Sequence, residues 1–366
     1  MSKLSVGIVG LPNVGKSTLF NALTKNSVPM ENYPFCTIDP TVGVVAVPDN
    51  RLTTLSKLSH SKDTLPAVVE FVDIAGLVQG AAAGEGLGNK FLSNIRETDM
   101  ILQVVRIFED SDVHHVSGDV QPYEDISIIN LELVMADSET VEKRLRNLEK
   151  DVKRGDKDAL AEHAILERLA SHLADGKLAN QLDITTEEHN ILKGLHLLTL
   201  KPFLYACNKK TDAFNLDEQN DDRWQKLEQY FADTGAEYVL VDAGMEHELK
   251  DLSEEEKNDF RREYGAQDSG VGALIRACYE RLGLMSYFTT GEKETRAWTV
   301  PIGSTGPKAA AAIHSDFEKK YIRAQVVTFD DLVTAGSKAA AKDQGKLRTE
   351  GKDYIVQDGD VIEFLI

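Results

Sequence analysis

The sequence predicts an α/β protein with a doubly wound, mostly parallel sheet, an inserted α-helical hairpin and a small C-terminal α+β domain. Three observations lead to this fold class. Short apolar strands alternate with helical segments before about residue 127 and again after residue 200. Between these two regions the apolar residues follow helical spacing only. After Gly283 the chain changes to several short strand-like segments.

Six apolar runs are predicted to form the strands of the main sheet. The first ends at Val9 and enters a glycine-rich segment, after which Leu19 and Leu23 recur at helical spacing. The fourth follows a helix that we expect to begin near Lys90. Strands that alternate with helices in this way are typical of a parallel sheet covered on both faces. The predicted strands are residues 6–9, 41–47, 67–73, 100–107, 202–208 and 238–242.

The middle region, about residues 127–200, is predicted to form an antiparallel coiled coil of two long helices. Apolar residues recur at intervals of three and four from Leu131 to Leu148 and again from Leu160 to Leu169, with a turn at Gly155 between them. Because the α/β pattern returns afterwards, we interpret the hairpin as an insertion within a first domain, residues 1–282.

The last part of the chain, residues 283–366, differs from the rest in pattern and in charge. It carries 11 basic and 12 acidic side chains, whereas the first 282 residues carry 30 and 48. Asp358-Gly359-Asp360 is a turn signal between two strand-like runs. We therefore predict a separate α+β domain, with strands near residues 297–300, 324–329, 354–356 and 361–365.

Composition excludes several classes of protein. The chain has 366 residues, and no apolar run approaches the roughly 20 residues of a membrane-spanning helix. Its three widely spaced cysteines fit neither a disulfide framework nor a zinc ribbon, and its first ten residues do not resemble a signal peptide. We expect a cytoplasmic protein without a membrane partner. The net charge of −19 repels nucleic acid at long range, so any RNA contact requires a local basic patch.

The glycine-rich segment after the first strand has the phosphate-binding pattern Gly10-x4-Gly15-Lys16-Ser17, with the required strand before it and helix after it. Backbone N–H groups of such a loop surround phosphates, and the helix N-terminus adds a positive dipole. We expect Lys16 to neutralise the β- and γ-phosphate oxygens as a catalytic residue and Ser17 to offer its hydroxyl to Mg²⁺. The residues expected to bind the nucleotide here are Asn13, Val14, Gly15, Lys16, Ser17 and Thr18.

Two further segments fit a nucleotide-dependent switch. Asp73 ends an apolar strand and Gly76 follows it, an arrangement in which the carboxylate holds Mg²⁺ through water and the glycine N–H meets the γ-phosphate. Between the phosphate loop and Asp73 lie Thr37 and Thr41, and both are placed to close over Mg²⁺. Spacing alone does not choose between the two threonines.

These motifs resemble those of Obg-type P-loop NTPases and, more narrowly, the YchF/Obg-like ATPase family. The helical insertion and the tail narrow the match, because the tail looks like a TGS domain, a ubiquitin-like β-grasp module. The resemblance covers essentially the whole chain. It rests on the segments 10–18, 32–37, 73–80, 84–92, 316–325 and 351–360.

The resemblance implies a ribosome-associated P-loop NTPase that hydrolyses ATP with Mg²⁺ and acts as a switch in translation or stress response. Its partners would be ATP, the ribosome with its large subunit, and RNA. It further implies, by motif position, that Thr37 is the threonine that binds Mg²⁺. Two alternatives remain open: an Obg-type GTPase switch, and a nucleotide-gated scaffold for RNA or the ribosome with negligible turnover. We expect a monomer.

The base that the resemblance implies is adenine, and the strand end Asn208-Lys209-Lys-Thr211-Asp212 explains why. A guanine site needs a carboxylate that accepts two hydrogen bonds, and the Thr211 hydroxyl cannot replace it. A buried unpaired donor costs about 1–3 kcal/mol, so we expect GTP to bind more weakly than ATP. Asn208 and the Lys209 backbone are expected to meet the adenine edge. Guanine recognition by Asp212 through a bulged loop is the alternative.

The group that orients the attacking water is missing from its usual place, because Gly76 is followed by Leu77. We therefore expect slow intrinsic hydrolysis. Asn13 is a candidate to seat an activating K⁺ ion. The resemblance makes His115 a catalytic candidate that positions water, with a plain polar loop as the alternative.

The end of the helical hairpin is locally basic and is a candidate docking surface for RNA phosphates. A solvated helix face explains the same charges equally well. Three acidic residues share the window with the basic residues Lys143, Arg144, Arg146, Lys150, Lys153, Arg154 and Lys157.

Overall fold

The computed structural model describes residues 4–24, 41–74, 88–110, 119–249, 252, 256 and 270–366. In chain order its strands are β1 (Ser5–Val9), β2 (Val42–Ala46), β3 (Asp63–Leu65), β4 (Val68–Asp73), β5 (Met100–Arg106), β6 (Phe108–Glu109), β7 (Phe203–Asn208), β8 (Phe214–Asn215), β9 (Tyr238–Val241), β10 (Leu284–Thr290), β11 (Glu294–Pro301), β12 (Arg323–Thr328), β13 (Arg348–Glu350) and β14 (Asp360–Leu365).

The α-helices of the same ranges connect and cover these strands. Short 3₁₀ turns at Ala179–Gln181 and Lys193–Leu195 flank one of them. The helices are α1 (Lys16–Thr24), α2 (Asn50–Leu58), α3 (Asn89–Glu97), α4 (Pro122–Lys153), α5 (Lys157–Ala174), α6 (Thr186–Leu192), α7 (Asp222–Thr234), α8 (Ala243–Glu248), α9 (Gly270–Arg281), α10 (Gly306–Ile313), α11 (Ser315–Lys320), α12 (Phe329–Ala335) and α13 (Lys338–Asp343).

The main sheet has the strand order β2-β4-β1-β5-β7-β9. All neighbouring strands pair in parallel except β2, which runs antiparallel to β4. Strand β5 is buried at every position, as expected for a central strand that is covered on both faces. Helix α1 packs on β1, β2 and β4, and α4 packs on β5. The predicted doubly wound, mostly parallel sheet is confirmed.

The inserted hairpin consists of α4 and α5, which pack against each other, and it ends at Ala174 rather than near residue 200, because a short helix, α6, and two 3₁₀ turns follow it. Helix α4 begins at Pro122, earlier than predicted, because proline suits the first turn of a helix. Leu131 and Met135 belong to the apolar pattern but are 54% and 56% exposed, so they are not core residues. No helix within the described ranges is both long and apolar enough to cross a bilayer.

The hairpin is anchored at its base by one buried carboxylate. Asp137 of α4 is 1% exposed and accepts hydrogen bonds from the backbone N–H groups of Leu198 and Thr199 and from the Thr199 hydroxyl. Burial raises the pKa of Asp137, while the three donors act in the opposite direction. The segment that leads back into the main sheet is thereby tied to the hairpin.

The C-terminal part forms a second sheet with the strand order β13-β12-β14-β10-β11-β3. Strands β10 and β11 form an antiparallel hairpin, and β14 lies between β10 and β12. The prediction of a strand at residues 354–356 is wrong, since Ile355 makes only an isolated bridge to Thr305. Strand β10 was not predicted, because its sequence Leu-Met-Ser-Tyr-Phe-Thr-Thr lacks a regular apolar–polar alternation.

The second sheet takes one strand from the first part of the chain. Residues 63–65 of β3 pair in parallel with Glu294–Arg296 of β11. Near the same junction, the Arg51 guanidinium lies 2.6 Å from the Asp358 carboxylate. The change of pattern predicted at Gly283 therefore holds along the sequence. In space, the parts on either side of it are joined by the hydrogen bonds between β3 and β11 and by the Arg51–Asp358 ion pair.

Candidate nucleotide-binding site

The phosphate loop lies between the carboxyl end of β1 and the first turn of α1, which begins at Lys16. Two of its glycines are required by close contacts. A side chain at Gly10 would lie 2.7 Å from the carbonyl oxygen of Val104 on β5, and one at Gly15 would collide with the Asn208 amide. Gly15 also has φ +99°, and Asn13 has φ 62°, a conformation that asparagine tolerates better than most residues. The loop thus fits tightly against the ends of β5 and β7.

The Lys16 ammonium is held by its own loop. Its Nζ atom donates to the carbonyl oxygen of Leu11 at 2.7 Å, and the residue is buried. Burial lowers the pKa of Lys16 to about 8, and the nearby charge of Asp73 opposes this shift. Because burial removes hydrating water from this ammonium, a phosphate group would supply negative charge that stabilises its protonated form.

Side chains with oxygen atoms that can bind a metal ion also lie at this end of the sheet. Asp73 ends β4 directly beside β1, where it pairs in register with Ile8. Its backbone N–H donates to the carbonyl oxygen of Thr41 at 2.8 Å. Ser17 is exposed and Thr18 is half-buried on the first turn of α1. The fold therefore brings the hydroxyl of α1 and the Asp73 carboxylate to the same edge of the sheet.

The segment after β7 is fixed to the phosphate loop through Asn208. Its Nδ2 donates to the carbonyl oxygen of Val14 at 2.9 Å, and its Oδ1 accepts from the backbone N–H of Ala243 at 3.0 Å. The side chain is 3% exposed. Asn208 therefore links the loop to the start of α8, and its predicted contact with the base stays a prediction.

Lys209 and Thr211 are held by acidic neighbours. The Lys209 ammonium pairs with Asp217 at 2.9 Å and with Glu218 at 2.5 Å, and these partners outweigh burial and raise its pKa. The Thr211 hydroxyl and backbone N–H both donate to one oxygen of Asp242, at 2.7 Å and 2.6 Å. Asp242 was not among the predicted site residues. Its sequence signal, an aspartate between a strand and a helix, is that of an N-cap.

Several predicted site residues lie outside the described residues. They are Thr37, Gly76, Leu77 and His115. The choice between Thr37 and Thr41 as a magnesium ligand and the roles of Gly76 and His115 accordingly stay predictions.

The basic residues at the hairpin end are partly neutralised by neighbours. Arg144 forms a bidentate ion pair with Glu162. Ion pairs between residues three or four positions apart join Arg146 to Glu142, Lys153 to Glu149 and Arg154 to Asp151. In the part of the chain that the structure describes, Lys143, Lys150 and Lys157 form no ion pair and are exposed. These three lysines are the uncompensated charge of the hairpin end.

Comparison with known proteins agrees with this architecture. A family model described as a 50S ribosome-binding GTPase matches residues 5–136, and the YchF GTPase C-terminal model, described as a protein of unknown function, matches residues 284–366. The ribosome-binding ATPase YchF of Bacillus subtilis is 52% identical over 361 residues, which cover 99% of this chain and 98% of the relative.

The chain belongs to the YchF family. The ribosome-binding ATPase YchF of Escherichia coli O157:H7 is 49% identical over 98% of each chain. A solved structure, the YchF GTPase of Schizosaccharomyces pombe, has a TM-score of 0.89 at 38% identity and covers 99% of this chain and 98% of its own. The predicted family and fold class are therefore confirmed, and the chain is a P-loop NTPase of the YchF type.

Proposed function

We propose that this YchF-family chain is a ribosome-associated ATPase that hydrolyses ATP to ADP and phosphate with Mg²⁺ and acts as a nucleotide-dependent switch. The observation that carries the proposal is the phosphate loop, in which the buried ammonium of Lys16, at the start of α1, donates to the carbonyl oxygen of Leu11. The curated relatives are named as ribosome-binding ATPases, and their similarity extends over the full chain.

The phosphate loop and the oxygen-bearing side chains beside it each have a role in phosphoryl transfer. The loop N–H groups and the α1 dipole orient the phosphates, and Lys16 neutralises the β- and γ-oxygens. The Ser17 hydroxyl and the Asp73 carboxylate are hard oxygen donors at one edge of the sheet, so this donor set fits Mg²⁺. When bound, the ion would offset the charge of the phosphates. Thr37 would complete the Mg²⁺ ligand set, Gly76 would contact the γ-phosphate, and His115 would position water.

Turnover without a partner should be slow, because Leu77 offers no hydrogen bond to the attacking water. Asn13, held at φ 62° on the phosphate loop, is the residue we assign to seating a K⁺ activator. Hydrolysis is therefore expected to be faster in K⁺ than in Na⁺, and faster again with ribosomes.

The preference for ATP over GTP is supported by the residues that follow β7, where we expect the base to bind. Thr211 stands where a guanine site needs a carboxylate, and its hydroxyl proton is already donated to Asp242. The relatives' names point both ways, since the bacterial proteins are called ATPases and the yeast structure a GTPase. The residues of this chain favour ATP.

Titration of the full chain with ATP and GTP by calorimetry, followed by single-turnover hydrolysis, tests the enzymatic part. Tighter ATP binding with slow but measurable phosphate release is the expected result. A tenfold or greater preference for GTP would replace the ATPase by the GTPase switch. Nucleotide binding without phosphate release, even with ribosomes present, would leave only the scaffold.

The hairpin end is proposed as the contact with ribosomal RNA. Changing Lys143, Lys150 and Lys157 to Glu should reduce co-sedimentation with ribosomes and flatten its dependence on salt, since each lost phosphate contact lowers the salt slope by about one. The matched control makes the same charge change at exposed lysines elsewhere, Lys57 and Lys62 with Lys193. Equal binding by both triple variants would exclude the hairpin end as the docking surface.

A further inference from the structure

We propose that Asp242, acting as a pair with Thr211, determines which base the nucleotide site accepts. This inference rests on the proposed nucleotide-binding function and deepens it. Asp242 lies between β9 and α8, on a different segment from the residues that follow β7. The two segments meet only because β7 and β9 are neighbours in the sheet.

Three donors converge on the Asp242 carboxylate. Its Oδ2 accepts from the Thr211 N–H at 2.6 Å and from the Thr211 hydroxyl at 2.7 Å, and its Oδ1 accepts from the Met245 N–H at 2.8 Å. The carboxylate thus caps α8 and closes the Thr211 turn at the same time. A second hydrogen bond, donated by the Ala243 N–H to Asn208 Oδ1, holds the same two segments together.

This pairing uses up the hydrogen-bonding capacity that guanine requires. A carboxylate oxygen has about two acceptor directions, and both directions of Oδ2 are taken by Thr211. Because the Thr211 hydroxyl donates its hydrogen bond to Asp242, it can only accept a hydrogen bond from a ligand, through its single oxygen atom. Guanine presents two adjacent donors, N1–H and the 2-amino group, whereas the adenine edge presents one amino group beside an acceptor. The pair therefore disfavours guanine and leaves adenine's single donor satisfiable.

The pairing also predicts that a carboxylate cannot be introduced at position 211 alone. A carboxylate introduced at 211 would face the Asp242 carboxylate across the distance now bridged by a hydroxyl, and two carboxylates that close do not both ionise readily. Serine at 242 would remove this conflict. Its hydroxyl can still cap α8, and it can donate to a carboxylate at 211. Guanine recognition should therefore require exchange of both residues.

The experiment is a cycle of four full-length proteins: wild type, Thr211→Asp, Asp242→Ser and the double variant. The dissociation constants for ATP and GTP are measured by calorimetry in Mg²⁺, with thermal unfolding as the check on folding. Thr211→Asp should weaken the binding of both nucleotides by about tenfold or more. The double variant should regain affinity and raise the GTP-to-ATP affinity ratio by roughly tenfold to a hundredfold over wild type.

Two further variants keep the outcome clear. Thr211→Val removes the hydroxyl without adding charge and frees one direction of Asp242, so it should narrow the preference for ATP several-fold. Asp156→Ser changes the same kind of cap on α5, where the side chain accepts from Ala159 N–H at 2.9 Å, and should leave the ratio unchanged.

Different results would contradict the proposed nucleotide-binding function and the inference about Asp242. If wild type binds neither nucleotide, the proposed function is wrong and the inference falls with it. If wild type binds nucleotide but Thr211→Asp alone shifts the preference to GTP with full affinity, or the double variant and Thr211→Val keep the wild-type ratio, the Asp242 inference alone is overturned.

Discussion

The phosphate side and the base side of the candidate site are built in different ways. On the phosphate side, the loop from Gly10 to Thr18 is one continuous segment, whose shape is set by local glycines and by the start of α1. The base side joins residues after β7 to residues after β9, and buried and partly buried side-chain hydrogen bonds hold it together. A site made from one segment keeps its geometry through backbone conformation, whereas a site made from two depends on every bond between them.

Lys16→Ala should have the largest effect, because it removes the charge that neutralises the phosphates. We expect ATP and GTP affinity to fall together, by roughly tenfold to a hundredfold, which is the range for a hydrogen bond to a charged group. Calorimetry with both nucleotides measures this. A variant that loses only one nucleotide would show that Lys16 also serves the base side, and the contrast between the two sides would be lost.

Gly15→Ala tests the place where the two sides touch. The added methyl group would collide with the Asn208 amide and would also sit on a backbone with φ +99°. We expect weaker binding of both nucleotides and a loss of about 1 kcal/mol or more in unfolding free energy. Gly155→Ala is the matched control, since φ is +75° there and no atom lies near the new methyl group. Equal losses in the two variants would mean that backbone strain alone matters.

Asn208→Ala removes the tie between the phosphate loop and α8. Because its two hydrogen bonds are buried, we expect the unfolding free energy to fall by about 1–3 kcal/mol and both affinities to fall by similar factors. Chemical denaturation and calorimetry give the two quantities. Asn180→Ala, which removes one exposed bond to the Lys201 carbonyl oxygen, serves as the control. A selective loss of ATP would instead favour direct base contact by Asn208.

The smallest effect concerns pH. The pKa of Lys16 is lowered to about 8 by burial in the free protein, and bound phosphates would raise it. The protonated form therefore binds better, and ATP affinity should be constant below about pH 8 and fall above it, by at most about tenfold per pH unit. Lys16→Arg, if it binds, should show no such fall, because arginine stays charged. A flat profile for the wild type would contradict the role of the Lys16 charge.

The C-terminal part shows the same division between local and long-range information. Its turn at Asp358–Asp360 was predicted correctly from residue types, and β12 and β14 lie close to their predicted positions. The partner strand β3 was not predicted, because three residues of mixed polarity have no periodic signal of their own. Only pairing with β11 makes them a strand.

The sequence by itself determined the features that depend on short-range chemistry. These are the alternation of strands and helices, the hairpin insertion, and the glycine, lysine and hydroxyl positions of the phosphate loop, since each follows from backbone preference or apolar periodicity over neighbouring residues. The tertiary structure decided the rest. It turned Leu131 and Met135 outward although their spacing is that of a buried face. It also brought Asp242 to Thr211, because a hydrogen bond between two strand ends depends on which strands are neighbours, and no local pattern encodes that choice.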